Sequence, residues 1–148
     1  MMIATVLATL SAATAAGNTH MTTIEHGGAP LTVAYQADLD ISHRQIGGLA
    51  PPGRQSSLRC LWTADVAVDR QVRRDGVVVP ALSRRVSTRE HLTGSRPGSC
   101  EQARAGIARE VAARGRTVRD HLAEVAERDR AAILAEIESA NDLSRRLG

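Results

Sequence analysis

The chain has 148 residues, enough for one domain, and 43% of them are hydrophobic, as suits a globular protein. Its formal charge of +3 rests on arginine with no lysine, and residues 100–148 hold nine arginines and nine acids, so the excess lies before Cys100. So mild and diffuse a charge excludes an electrostatic nucleic-acid footprint, and no nucleic-acid-binding motif accompanies it.

At the N-terminus, Ile3 to Leu10 is a short apolar run, and Ala13-Thr14-Ala15 fits a small-x-small cleavage pattern. Residues 1–15 therefore read as a signal peptide, although the basic residue expected near its start is missing. The alternative is an Ala/Thr-rich tail on a cytoplasmic protein. The run is too short to span a membrane, which takes around 20 apolar residues, and no other stretch is long and apolar enough. Residues 16–30, with Gly27-Gly28 ahead of Ala29-Pro30, read as a polar linker.

From Leu31 the apolar period becomes two. Leu31, Val33, Tyr35, Ala37, Leu39 and Ile41 alternate with polar or small residues, which predicts a half-buried strand over about 31–44. Gly47-Gly48 through Pro51-Pro52-Gly53 breaks it. Leu58, Cys60, Trp62, Ala64, Val66 and Val68 then form one face of a second strand, about 57–73. Asp75-Gly76 signals a hairpin into a third strand, about 77–91. A three-residue loop, Arg74-Asp75-Gly76, would set Val72 opposite Val78, Val68 opposite Leu82, Ala64 opposite Val86 and Asp65 opposite Arg85. Arg84 would then point inward, which predicts a bulge near Arg84-Arg85. Pro80 makes this third strand an edge.

Ser99 with Gln102 gives the capping-box spacing for a helix from about 100 to 147, all in good helix formers and free of proline. At about 100° per residue, Ile107, Val111, Val118, Leu122, Val125, Ile133, Ile137, Ala140, Leu143 and Leu147 fall in one band of roughly 120°. Ile107, Val125 and Leu143 are 18 residues apart, a whole number of turns, so the stripe does not drift as a heptad seam would. Gly115 is expected to mark a kink or a close contact. Such a helix exceeds what one small domain needs, so its last third is expected to project.

Three antiparallel strands with one apolar face and a helix with a matching stripe predict a two-layer α+β domain over 31–148. Cys60 starts the inner face of the second strand and Cys100 enters the helix. An even cysteine count behind a leader predicts a disulfide between them, pinning the helix entrance to the sheet. Tyr35 and Trp62, the only aromatics, share a core whose remaining bulk must be Val, Leu, Ile and Ala, so a covalent staple would help it.

Catalytic signatures are missing. His20, His26, His43, His91 and His121 form no ligand pair at helical spacing, no C-x-x-C occurs, and neither a phosphate-binding loop nor a nucleophile elbow appears. No metal or cofactor is expected. Asp38 and Asp40 read as a solvated face. Arg73, Arg74, Arg84 and Arg85 cluster toward the hairpin as a candidate patch for an anionic partner. The leading expectation is a small exported, periplasmic or secreted, non-enzymatic interaction or structural protein. It meets an envelope protein, or itself, through the distal helix. The alternative is a ligand-binding module with a pocket between sheet and helix near Tyr35 and Trp62. A third reading, an enzyme using His43 or His91 with an acid such as Glu90, requires those histidines in one cleft.

Overall fold

The computed structural model describes residues 18–148, with residues 87–89 described by their backbone alone. The leader expectation lies outside the described residues. The elements run β1 (Thr19–His26), β2 (Ala29–Ile46), β3 (Arg59–Arg74), β4 (Val77–Val78), a 3-10 turn (Pro80–Leu82), β5 (Arg84–Pro97), α1 (Cys100–Ala113) and α2 (Gly115–Leu147). All strands are antiparallel, in the order β1-β2-β3, with β4 and β5 on consecutive stretches of the far flank of β3. The fold is α+β: an antiparallel sheet with the long C-terminal helical segment against one face.

Alternation sets which face is buried. Leu31, Val33, Tyr35 and Ala37 of β2 and Cys60, Trp62, Ala64, Val66, Val68 and Val72 of β3 are all buried. Ala103, Ile107, Val111, Val118, Leu122, Val125, Ile133 and Ile137 cover them from the helical layer. Ile107, Leu122 and Ile133 are wholly enclosed, each worth about 1.5–3 kcal/mol of apolar burial. The stripe stops being covered after Ile137: Leu143 and Leu147 are 61% and 87% exposed. The last two turns of α2 therefore run past the sheet.

Several expectations are corrected. Residues 16–30 are not a linker, because residues 19–26 form β1 and pair rung by rung with Ala29–Gln36. Gly27 and Gly28, with φ of 66° and 85°, make the two-residue turn between them. An edge strand covered on one side needs little apolar sequence; Ile24 is its one buried apolar residue.

The β3–β4 loop has two residues, not three. Asp75 and Gly76 both take positive φ, and Arg74 pairs with Val77. The 3-10 turn then shifts the register by three, so β5 sets Val68 opposite Val86 and Asp69 opposite Arg85. Past an irregularity opposite Ala67, Ala64 faces Leu92 and Asp65 faces His91. The bulge thus lies beyond Val86 rather than at Arg84-Arg85. Among the described residues β5 pairs with β3 alone, but Pro80 is not part of it: that proline opens the 3-10 turn, outside any strand.

The single helix is two. Ser99 caps α1 by accepting from the Gln102 N–H at 3.3 Å. Helical geometry breaks at Arg114, whose backbone turns to φ −87° and ψ 17° before Gly115 opens α2. The Arg114 side chain explains the site of the break. Its guanidinium lies 5.1 Å from the centre of the Trp62 ring, donates to the Thr93 carbonyl at 3.1 Å, and reaches Glu110 at 3.2 Å. Opposite Trp62 stands Gly94, where a Cβ would come within 2.5 Å of the indole. Trp62 thus fills the junction of sheet, α1 and α2.

At the same end, Cys60 and Cys100 form a disulfide, with S–S 2.06 Å and Cα–Cα 4.8 Å. It ties the first turn of α1 to β3 across a sequence separation of 40 residues.

Candidate functional site

The largest departure from a plain apolar interior is a charge cluster where α2 crosses β2 and β3. Arg70 belongs to the inward series of β3, between Val68 and Val72, and its side chain is 0% exposed. Asp129 sits on the covered side of α2, one turn from Val125 and one from Ile133, and its side chain is 5% exposed.

Each nitrogen of the Arg70 guanidinium is engaged: Nη1 donates to Asp129 at 2.7 Å, Nη2 to Glu136 at 2.5 Å, and Nε to the Leu82 carbonyl at 2.9 Å. Tyr35, directly opposite Arg70 on β2, donates its hydroxyl to the same Asp129 oxygen at 2.9 Å. Glu136 also accepts from Arg84 at 2.5 Å. Burial alone would lower the Arg70 pKa, but the hydrogen bonds and charges of Asp129 and Glu136 outweigh it, so the net direction is up. Burial, then the Asp129 hydrogen bond, pushes the Tyr35 hydroxyl well above an ordinary phenol. Both groups thus stay protonated, and Arg70 charged, at any physiological pH.

Such perturbed groups often mark active sites. Here they face packed protein: the space beside Tyr35, between β1 and α2, is about 20 Å³. That holds about one water and no substrate. The cluster acts as a polar lock between the two layers. Sequence reading missed it, although an arginine in the inward parity of β3 and an aspartate inside the helix stripe were each visible.

Tyr35 and Trp62 share the inner face but not a cavity. Tyr35 pairs with Arg70, and Trp62 lies eight residues along β3 from that rung, about 27 Å away. An open groove of about 580 Å³ does adjoin the Trp62 rung. Its side chains, Ser42, Arg44, Leu61, Thr63, Thr93 and Ser95, belong to the outward parity, so it lies on the solvent face of the sheet. The histidines of the enzymatic reading separate as well. His43 has inward parity opposite Trp62, whereas His91 lies on the outer face with Nδ1 2.5 Å from Asp65. Glu90 reaches across to His121 instead, at 3.9 Å.

The four candidate patch arginines divide between the faces. Arg84 turns to Glu136 on α2, and Arg85 to Asp69 and Asp38 on the outer face at 2.9 and 3.1 Å. The Arg85 hydrogen bond holds the Asp69 carboxyl below the ordinary carboxylate range. Arg73 donates to Gln71, and Arg74 ends β3 exposed beside the hairpin. Among the described residues, no group of three or more His, Cys, Asp or Glu is placed to hold a metal ion.

The remaining surface feature is at the far end of α2. Ala135, Glu136, Ser139, Ala140 and Leu143 of α2, with Ala81 and Leu82 of the 3-10 turn and Arg84 of β5, line an open groove of about 560 Å³. Leu147 continues the apolar row beyond it, and Val77, 70% exposed, lies on the adjacent hairpin. None of the described helices is long and apolar enough to cross a membrane. No protein-family model, curated protein or solved structure matches the chain.

Proposed function

We propose that this chain is a small exported, periplasmic or secreted, non-enzymatic interaction protein. The observation that carries the reading is the apolar shelf at the end of α2. Leu143 and Leu147 stay exposed although they continue the stripe that is buried as far as Ile137, and an open groove lies beside them. A helix end built only to close a core would stop at Ile137 or turn polar; exposed apolar patches bordering polar residues suit contact with another protein.

Export is supported by the leader-like residues 1–15 and by the Cys60–Cys100 bond, which persists in oxidising compartments. The non-enzymatic reading is supported by the closed Arg70 cluster and by histidines on opposite faces of the sheet.

Leu143→Asp with Leu147→Asp tests the contact role. Both positions are exposed, so stability should move by no more than about 0.5 kcal/mol each. A protein captured from the cell envelope by the unaltered chain should be retained at least about tenfold less by the variant, since a desolvated charge costs more than about 1.4 kcal/mol. Equal capture by both would remove the shelf from the account.

A further inference from the structure

Among the described residues, one flank of β2 has no neighbouring strand beyond Ala37, and its sequence pattern is self-complementary. The turn at Gly27-Gly28 makes His26 and Ala29 a hydrogen-bonded pair, so the odd residues of β2 direct their N–H and C=O groups toward β1. The Ala37 N–H bonds the Asn18 carbonyl at 2.8 Å, the last rung of that ladder among the described residues. The groups of Leu39, Ile41, His43 and Gln45 on this flank have no strand beside them among the described residues. Beyond Ile46 the chain turns away at Gly47, with φ 82°, toward Ser57. A seven-residue slot remains. Leu39 and Ile41 beside it are only partly buried.

We propose that residues 39–45 of β2 pair antiparallel with the same residues of a second copy, making a two-fold dimer with one continuous sheet. It rests on the export reading, because removal of residues 1–15 leaves too little chain ahead of β1 to lie along the slot.

The register follows from two conditions. Odd residues, whose backbone groups point to the free flank, must face odd residues, and all four must be used. Pairing Leu39 with the second copy's Gln45, and Ile41 with its His43, meets both. That register sets Asp40 opposite the second copy's Arg44, twice over. Asp40 and Arg44 are exposed, and neither has an ion-pair partner among the described residues. The neighbouring two-fold register would instead pair Arg44 with Asp38, already engaged by Arg85, and Gln45 with Ala37, already bonded to Asn18. The two Ile41 side chains become diagonal neighbours on the helix side, adding cover to a half-exposed part of the core. Ser42 meets its own copy at the two-fold axis as a non-hydrogen-bonded pair, where Cα atoms stand about 4.5 Å apart.

Light scattering after size exclusion, on secreted protein whose intact mass shows residues 1–15 removed, tests this. The unaltered chain should be a dimer. Arg44→Asp should weaken it about tenfold or more through two like-charge pairs, and Asp40→Arg with Arg44→Asp should restore it. Ser42→Cys should cross-link copies on oxidation, within disulfide reach, while Gln36→Cys, facing β1, should not. A mature-length monomer would overturn the dimer and leave the shelf untouched. A dimer indifferent to Arg44→Asp but lost with Leu143→Asp and Leu147→Asp would overturn it in favour of self-association through α2. A mass showing residues 1–15 retained would defeat the export reading and this dimer with it.

Discussion

Asp129→Ala should destabilise the protein by about 3–5 kcal/mol in urea unfolding, the cost of leaving a buried charge without its partner. The side chain of Arg70 is 0% exposed, so water cannot replace the lost carboxylate. Glu136 still reaches Arg70 but is shared with Arg84, and Tyr35 loses its acceptor too. The triple replacement Tyr35→Phe, Arg70→Met and Asp129→Leu removes the cluster whole. It should return the chain to within about 2 kcal/mol of the original, because desolvating a buried pair offsets much of its attraction. If Asp129→Ala alone costs under about 1 kcal/mol, the cluster does not join the layers as described.

Replacing both cysteines by alanine should cost about 3–4 kcal/mol, the chain-entropy value for a loop of 40 residues. For a domain of this size that lowers Tm by about 10 °C. Calorimetry of the variant, and of the original chain with and without reductant, reads it directly. The loss should be unequal along the molecule. The bond joins α1 to the Cys60 end of β3, whereas the Arg70 cluster holds α2 at the other end of the same strand. Reduction should therefore loosen α1 first. A change below about 1 kcal/mol would mean that the Trp62–Arg114 junction already holds the helix entrance without sulfur.

These two locks were not equally legible in the sequence. The disulfide followed from cysteine count, the leader-like segment and the two faces. The cluster depended on knowing how α2 lies across the sheet. Parity put Arg70 inward and the 3.6-residue period put Asp129 inward, but only the docking angle brings them within 2.7 Å. Alternation predicted β2 and β3 and the inward parity of β5, yet not the partners within β5. Asp75 at φ 49° permits the tighter two-residue turn, and the 3-10 turn at Pro80–Leu82 then restores the parity that this turn had inverted. β1 escaped notice because an edge strand with one buried apolar residue carries almost no periodic signal. Gly115 located the helix break, but its cause is the neighbouring Arg114 reaching back over Trp62. At the far end, the stripe continued through Leu143 and Leu147 without saying where cover ends. Sheet length decides that.

One boundary divides the helical ridge: it is interior as far as Ile137 and surface beyond it. Native-state amide hydrogen exchange read along α1 and α2 measures that boundary directly. Protection near the global unfolding limit is expected through Ile107, Leu122 and Ile133, falling to fraying-level protection over 140–147. Strong protection reaching Leu147 in the isolated monomer, or none around Ile107 and Leu122 in the oxidised protein, would contradict it.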